Sequence, residues 1–319
     1  MFFSVVIPLY NKLYYIGRTI KSVLSQTYMN YELIVVDDGS TDKSVDVVRK
    51  FDDKRIRIIQ QKNAGESAAR NRGINEAKYE FIAFLDADDE WQPNFLAEIK
   101  RLCSLCPSAK VFATGYEIHN TNGKIINVAY RKGLTKDYLI LIEDYFSASL
   151  SMGNSIVNSS SIVIHKEVFN NVGYFKENAP LGADIDMWGR IAIKYSIAYS
   201  PKICAIYHCD AENRTCKRAV IPSFYPLVDT YYELLKNNEI PSKLKKSMSV
   251  FVYHEQLKTI RKNYYFGNLT IARSLIKRLE PFDVSDNFKK ISLLIITYFP
   301  FNLYKIGSFF KKLLYRIFR

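Results

Sequence analysis

The stretch Phe81-Ile82-Ala83-Phe84-Leu85-Asp86-Ala87-Asp88-Asp89 joins five apolar residues to three carboxylates within four positions. An apolar run of this length is typical of a strand that is buried on both faces. Adjacent carboxylates repel one another and are costly to remove from water. A divalent cation relieves that conflict, and hard oxygen ligands suit Mg²⁺ or Mn²⁺. The stretch therefore predicts a buried strand that ends in a candidate metal site, with a solvated acidic loop before the next helix as the alternative.

Apolar runs alternate with helical segments upstream of this stretch. Strands are predicted over Phe3–Leu9, Tyr31–Val36, Ile56–Gln60 and Phe81–Leu85, and helices over Ile16–Leu24, Ser44–Phe51 and Glu66–Ala77. Strands and helices that alternate at this spacing predict an α/β domain with a parallel sheet. In such sheets, ligands bind outside the carboxyl ends of the strands.

Polar clusters follow three of the four predicted strands. They are Tyr10-Asn11, Asp37-Asp38-Gly39-Ser40 and Asp86-Ala87-Asp88-Asp89. Because the carboxyl ends of parallel strands lie at one edge of the sheet, we expect a single shared site.

Each cluster has both a functional and a purely structural interpretation. The Asp38 carboxylate could accept hydrogen bonds from a base or ribose, or it could belong to a tight turn at Gly39 that caps the next helix. Tyr10 could offer a ring face to a base, or it could be an ordinary buried tyrosine. Arg70, in the small-residue segment Asn63–Gly73, could pair with a phosphate, or it could be a surface arginine.

The second half of the chain mixes strands and helices. The segments Val111–Ile118 and Lys124–Tyr130 predict a hairpin around the turn pair Asn122-Gly123. We further predict an extended run over Ser155–His165, a helix over Asp184–Lys194 and a short strand over Ile203–Tyr207. Past Pro222 the pattern is helical, so the sequence predicts a domain boundary near Val220.

The net charge of +13 is concentrated at the C-terminal end. Residues 241–319 hold 16 Lys or Arg and 4 Asp or Glu. The last part, residues 285–319, mixes seven basic side chains and one acid with aliphatic and aromatic residues. This mixture favours association with an anionic membrane surface, with a helix packed on the protein body as the alternative. Because the excess basic charge is confined to residues 241–319, we expect no nucleic-acid partner.

The cysteines and the N-terminus favour a cytoplasmic location, and the basic tail favours a peripheral position at the inner face of the cell membrane. The five cysteines lack the spacing of a disulfide framework, and Met1–Val5 enters a strand pattern without a basic leader. Cys103 and Cys106 are predicted to pack at the end of a helix.

Four motifs in this order resemble the family 2 glycosyltransferases. The matching stretches are Val6–Asn11, Val35–Asp42, Asn63–Gly73 and Phe84–Asp89, with a further match over Gly182–Arg190. The resemblance implies the GT-A fold, a Rossmann-like, mostly parallel central sheet flanked by helices. This domain would cover residues 1–220, followed by a helical region over residues 221–319 that ends in the basic, apolar tail.

The resemblance also implies roles on the donor side of the site. Pro8, Tyr10 and Asp38 would line the nucleobase pocket. Asn11 and Arg70 complete the predicted donor-binding set.

The implied metal site holds Mn²⁺ or Mg²⁺. Asp88 would ligate the metal that bridges the donor diphosphate, and Asp86 would approach the ribose or the metal. His208 is a further candidate ligand, in a region that matches the family poorly.

The later helix start usually reads Glu-Asp in this family, and its aspartate is the proposed catalytic base. Here the pair is Ala183-Asp184, so Asp184 inherits the role. An aspartate is also a favoured helix cap, and Asp186 with Arg190 has the spacing of an ion pair within a helix.

The implied reaction is an inverting transfer of a sugar from a nucleoside-diphosphate donor, with a UDP-sugar expected. The acceptor would be a hydroxyl of a glycan or lipid-linked glycan in cell-surface polysaccharide biosynthesis. A carboxylate can take the proton of that hydroxyl, and a cation stabilises the leaving diphosphate.

Three other functions fit the sequence less well. A sugar nucleotidyltransferase would need a glycine-rich phosphate loop after the first strand, where no glycine occurs before Gly17. A basic nucleic-acid-binding protein would carry its charge on a recognisable module. A polysaccharide synthase would show a Gln-x-x-Arg-Trp signature and several membrane spans, which the sequence lacks.

Overall fold

The computed structural model describes residues 1–179, 181–212 and 223–280, together with residues 290, 293, 294 and 297. The described residues divide into two compact units. The first holds residues 1–179 and 183–212, and the second holds residues 181–182 and those from 223 onwards.

The first half of the first unit alternates strands and helices, as predicted. The strands are β1 (Phe3–Leu9), β2 (Tyr31–Asp37), β3 (Ile56–Gln60) and β4 (Phe81–Phe84), and the helices are α1 (Ile16–Leu24), α2 (Ser44–Arg49) and α3 (Glu66–Glu76). The four strands pair in parallel in the order β3-β2-β1-β4. Residues Leu9 and Asp37 are register partners, so the ends of β1 and β2 lie side by side.

The second half of this unit extends the same sheet. Its strands are β5 (Glu90–Trp91), β6 (Val111–His119), β7 (Ile125–Val128), β8 (Ile140–Ile142), β9 (Ile162–His165) and β10 (Ile197–His208). Its helices are α4 (Phe95–Leu105), α5 (Tyr145–Met152), α6 (Glu167–Val172) and α7 (Ala183–Lys194). The path through the sheet is β3-β2-β1-β4-β9-β6-β10-β5, with β7 paired to β6 and β8 paired to β10.

The added strands make the sheet mixed beyond β4. Strand β9 lies antiparallel between β4 and β6, whereas β10 runs parallel to β6. The hairpin of β6 and β7 is confirmed. The extended run predicted over Ser155–His165 is only partly a strand, because Ser159–Ser161 forms a 3-10 helix.

Helix α3 lies close against β1 because its small residues leave room for the strand. A Cβ added at Gly73 would lie 2.2 Å from Cγ1 of Val6, so a larger residue would push the helix away. This packing fixes the N-terminal end of α3, which carries Glu66 and Arg70, near the carboxyl ends of the parallel strands.

The cysteines of the described residues are free thiols. Cys103 is buried in the hydrophobic core near the end of α4, and burial raises its pKa to about 12. A thiol with so high a pKa is a packing residue rather than a nucleophile, as predicted.

The second unit is helical, with α8 (Pro226–Lys236), α9 (Ser242–Tyr265) and α10 (Leu269–Arg278). The boundary predicted near Val220 lies outside the described residues and stays a prediction. Within the described ranges, no helix combines the length and the apolar character needed to cross a membrane. Most of the predicted tail over residues 285–319 also lies outside the description, although Leu293 and Thr297 are buried.

Candidate active site

The loops after β1 and β2 are tied together by Asn11. Its Oδ1 atom accepts a hydrogen bond from the Thr41 amide at 2.8 Å, and its Nδ2 atom donates to the Thr41 hydroxyl at 3.2 Å. Asn11 also has a positive φ of 52°, a conformation that asparagine tolerates better than most residues. Its side chain therefore positions the loops, which is a different role from the predicted contact with the donor.

Two of the predicted nucleobase residues, Pro8 and Tyr10, differ in exposure. Pro8 is buried within β1, where its register partner is Val36. Tyr10 is 42% exposed at the end of that strand, so the alternative of a buried tyrosine is wrong. Its ring is available to a ligand at the sheet edge.

Asp38 is buried and organises the loop that leads into α3. Its carboxylate accepts hydrogen bonds from the amides of Ala64 at 2.9 Å and Gly65 at 2.8 Å, and from the Gln61 side chain at 2.7 Å. Bonds from amides to a carboxylate are among the stronger hydrogen bonds in proteins. Asp38 thus fixes the start of α3 in addition to its predicted place in the nucleobase pocket.

Arg70 joins two of the carboxylates at the site. Its guanidinium forms ion pairs with Asp86 at 2.7 Å and with Glu66, and it lies 5.4 Å from the ring centroid of Phe175. Burial alone would lower the pKa of Arg70, but the charges of Glu66 and Asp86 outweigh it and raise the pKa. The residue is 3% exposed, so the alternative of a surface arginine is wrong.

The loop that carries the three aspartates is held from several directions. The Asp86 amide donates to the Ser160 hydroxyl at 3.2 Å, and the Asp88 carboxylate pairs with the Lys12 ammonium at 2.7 Å. Asp89 is fully buried and accepts hydrogen bonds from the Ser160 hydroxyl at 2.5 Å and the His208 amide at 3.0 Å. Burial, together with the negative charges of Asp86 and Asp88, holds the pKa of Asp89 well above its ordinary value.

Asp184 lies in the first turn of α7 and belongs to the same electrostatic cluster. Burial raises its pKa, the charge of Arg70 opposes that rise, and the charge of Asp86 adds to it. The charge of the predicted metal ligand Asp86 therefore acts on the predicted base.

The predicted ion pair between Asp186 and Arg190 is present. Asp186 is fully buried, and its carboxylate lies 2.8 Å from Arg190 and 3.3 Å from Lys176. Arg190 in turn donates to the Tyr174 carbonyl at 2.8 Å. These contacts anchor the N-terminal half of α7, on which Asp184 lies.

His208 lies beside the aspartate loop, but its ring is engaged elsewhere. Its Nε2 atom lies 2.7 Å from Glu90 Oε1, and its ring centroid is 5.2 Å from that of His119. Its backbone amide, rather than its ring, contacts Asp89. The metal-ligand role of His208 stays a prediction, which these contacts do not favour.

The donor atoms at the site fit a divalent cation. Carboxylates outnumber the cationic side chains that pair with them within the described residues. Lys12 pairs with Asp88, and Arg70 pairs with Glu66 and Asp86 and lies within electrostatic range of Asp184. Excess carboxylate charge in a partly buried site favours a hard cation. No group of three or more His, Cys, Asp or Glu in the described part of the chain is already arranged as a metal site.

Sequence reasoning missed three residues at the site, Lys12, Glu66 and Ser160. Lys12 directly follows the Pro8–Asn11 motif and Glu66 directly follows Gly65, so their positions beside known motifs were a usable signal. Ser160 carried no such signal, because its contact with Asp89 joins positions 71 residues apart in the chain.

The N-terminal part of the chain matches a known family. Residues 4–124 match the family model described as "Glycosyl transferase family 2". A glycosyltransferase of Nostoc sp., described as uncharacterized, is 35% identical over 176 residues, which are 53% of this chain and 52% of that protein.

Two further relatives carry more specific names. GlyG of Streptococcus pneumoniae, a glycosyltransferase, is 32% identical over 54% of this chain and 59% of its own length. TuaG of Bacillus subtilis, a putative teichuronic acid biosynthesis glycosyltransferase, is 28% identical over 63% of this chain and 76% of its own length. The chain spans only part of the length of some of its relatives. The match covers about half of the Nostoc glycosyltransferase and 29% of a Rickettsia bellii glycosyltransferase.

Solved structures support the GT-A fold. The TarS fragment 1–349 of S. aureus, in complex with UDP-GlcNAc, has a TM-score of 0.64 at 18% identity, over 93% of this chain and 90% of that chain. The mannosyltransferase PcManGT of Pyrobaculum calidifontis, in complex with GDP-Man and Mn²⁺, has a TM-score of 0.59 at 16% identity, over 86% and 74% of the two chains.

Proposed function

We propose that this chain, a family 2 glycosyltransferase over residues 4–124, transfers a sugar from a nucleoside-diphosphate donor to a hydroxyl of a glycan or lipid-linked glycan. The observation that carries the proposal is the position of Arg70. This one guanidinium pairs with Asp86 on the donor side and lies within electrostatic range of Asp184, the predicted base. The donor side and the acceptor side would therefore meet at Arg70.

The reaction requires a base for the acceptor hydroxyl. Burial raises the pKa of Asp184, which makes its carboxylate a stronger base than that of an exposed aspartate. Attack by the deprotonated hydroxyl on the face opposite the leaving group would invert the anomeric centre. The proposal therefore includes an inverting mechanism.

Donor binding is assigned to the residues at the ends of the parallel strands. Tyr10 offers its exposed ring to the base, and Asp38 keeps the loop after β3 in place. Asp88 and Asp86 would hold the divalent cation, which when bound would stabilise the leaving diphosphate as a Lewis acid. Arg70 keeps Asp86 oriented and adds positive charge beside the phosphates.

A UDP-sugar is the proposed donor and a cell-surface polysaccharide the proposed product. The structural neighbours support a nucleotide-sugar donor, since TarS was solved with UDP-GlcNAc and PcManGT with GDP-Man. The name of the TuaG relative supports a bacterial cell-wall polymer as the product class.

Thermal unfolding in the presence of a panel of nucleotide sugars tests donor binding. A ligand at 100 times its dissociation constant stabilises the folded state by about 2.7 kcal/mol, so the correct donor should stand out in the panel. We expect one UDP-sugar to raise the unfolding temperature with Mn²⁺ and to have a smaller effect with EDTA. A panel of UDP- and GDP-sugars in which no compound shifts unfolding would contradict the proposal.

We further propose that the basic tail brings the protein to the cytoplasmic face of a membrane. Each basic residue near an anionic surface contributes about 1 kcal/mol, so the charge reversals Lys311→Glu and Lys312→Glu should weaken binding by well over tenfold. Co-sedimentation with vesicles that contain phosphatidylglycerol measures this. The matched control is Lys43→Glu with Lys50→Glu, two exposed lysines of the first unit. Equal sedimentation of the two double variants would contradict the proposal.

A further inference from the structure

Lys12 and Asp88 form an ion pair that is largely hidden from water. The ammonium Nζ lies 2.7 Å from Oδ2 of Asp88, and the two side chains are 14% and 13% exposed. An ion pair in this setting is screened less than one on the surface. A cation that binds Asp88 therefore has to compete with Lys12 for the same carboxylate.

The backbone of Lys12 is fixed, so its side chain reaches Asp88 from a defined point. Its amide donates to the Ser44 hydroxyl at 2.8 Å, and its carbonyl accepts hydrogen bonds from the amides of Tyr15 at 2.9 Å and Ile16 at 3.0 Å. The flexible four-carbon stem of lysine is then the part that can move. A change of partner at the ammonium needs no change in the fold.

The carboxylate of Asp88 has a single cationic contact within the described residues. Arg18 also approaches Asp88, but it donates to the backbone carbonyl at 2.7 Å and pairs its guanidinium with Asp210 at 3.0 Å. Arg18 thus holds the loop in place, whereas Lys12 neutralises the carboxylate. The same carboxylate is the one assigned above to the divalent cation.

We propose that Lys12 is the counter-ion of the metal site: a divalent cation displaces it from Asp88, and the released ammonium then pairs with the donor diphosphate. The inference rests on the proposed function, because it takes Asp88 as a metal ligand. Two cations cannot share one carboxylate at close range without repulsion, so the metal and Lys12 compete. The released ammonium stays tethered beside the position that the phosphates enter.

Competition of this kind links metal binding to donor binding. Lys12 weakens the affinity for the metal in the absence of donor and strengthens the affinity for the nucleotide in its presence. Metal and nucleotide therefore bind cooperatively, because each favours the arrangement in which Lys12 has left Asp88.

The variant Lys12→Met tests both steps, because it keeps the aliphatic stem and removes the charge. Titration with Mn²⁺ alone, followed by the electron paramagnetic resonance signal of the free ion, should show binding about tenfold tighter than in the wild type. Titration with UDP at saturating Mn²⁺ should show binding about tenfold weaker. Effects of opposite sign distinguish this role from general damage to the fold, which would weaken both.

The control Lys21→Met removes an exposed lysine from α1 and should change neither affinity. Unchanged Mn²⁺ affinity in Lys12→Met would overturn the displacement, and unchanged UDP affinity would overturn the transfer to the diphosphate. Weaker binding of both ligands would overturn the whole inference. If neither protein binds Mn²⁺ while the wild type still releases UDP from a UDP-sugar, the inference fails and the proposed function stands.

Discussion

The variant Asp184→Asn is expected to bind the nucleotide sugar as the wild type does and to lose nearly all transfer. Asparagine keeps the size of the side chain but cannot accept the proton of the acceptor hydroxyl. General-base catalysis contributes about 10²- to 10⁴-fold, so kcat should fall by that factor while the dissociation constant of the donor stays within about twofold. Single-turnover transfer and calorimetric titration of the donor measure the two quantities separately.

The pH dependence of transfer by the wild type is an independent test of the role of Asp184. The pKa of Asp184 is raised above its ordinary value of 3.8 by burial, so transfer should be lost on acidification at a pH above that value. Activity should be present above the raised pKa, where the carboxylate is ionised, and lost below it. The control Asp46→Asn, on an exposed position of α2, should leave both kcat and the pH profile unchanged. Near-normal turnover by Asp184→Asn would show that another group is the base.

The variant Asp88→Ala should lose donor binding that depends on the metal. The substitution removes the proposed metal ligand and leaves Lys12 without its partner, so the site becomes less negative and its affinity for a divalent cation falls. Loss of one group that stabilises developing charge costs about 10²- to 10³-fold in rate, and kcat/KM should fall at least that far. Calorimetric titration of the donor with and without Mn²⁺ measures the metal-dependent part of binding.

The matched control for this variant is Asp52→Ala, which removes an exposed aspartate from the loop before β3. It should bind the donor and respond to Mn²⁺ as the wild type does. A metal response in Asp88→Ala equal to that of the control would contradict the assignment of Asp88. Thermal unfolding of both variants, without ligand, separates a lost ligand from a lost fold.

The strands and helices in the first half of the fold were predicted closely from the spacing of apolar residues. Strands β1 and β3 and helix α1 have the predicted bounds, because each has a clear apolar pattern. Strands β5 and β8 were not predicted, since two or three residues carry no period of their own and are ordered only by pairing with β10. Strand β10 is longer than the predicted Ile203–Tyr207, because its first half pairs with β6 in spite of the interruption at Pro201 and Lys202.

The candidate site was predictable in its position but less so in its contacts. The motifs that follow the parallel strands are sufficient to predict that Asp38 and Asp86 lie at one sheet edge. The ion pair between Lys12 and Asp88 joins positions 76 residues apart, and local spacing does not encode such a contact. The burial of Arg70 was likewise set by tertiary packing on Phe175, which pattern analysis of α3 alone does not reveal.

The most direct test of the central claim is release of UDP from UDP-sugars by the purified protein with Mn²⁺, measured beside Asp184→Asn and Asp88→Ala. The predicted result for the wild type is release that requires Mn²⁺. Asp184→Asn should bind the donor but fail to turn it over, and Asp88→Ala should lose the metal-dependent binding. Release that is equal in all three proteins, or a wild type that neither binds nor cleaves any UDP- or GDP-sugar, would contradict the claim that this sheet edge is a glycosyltransferase site.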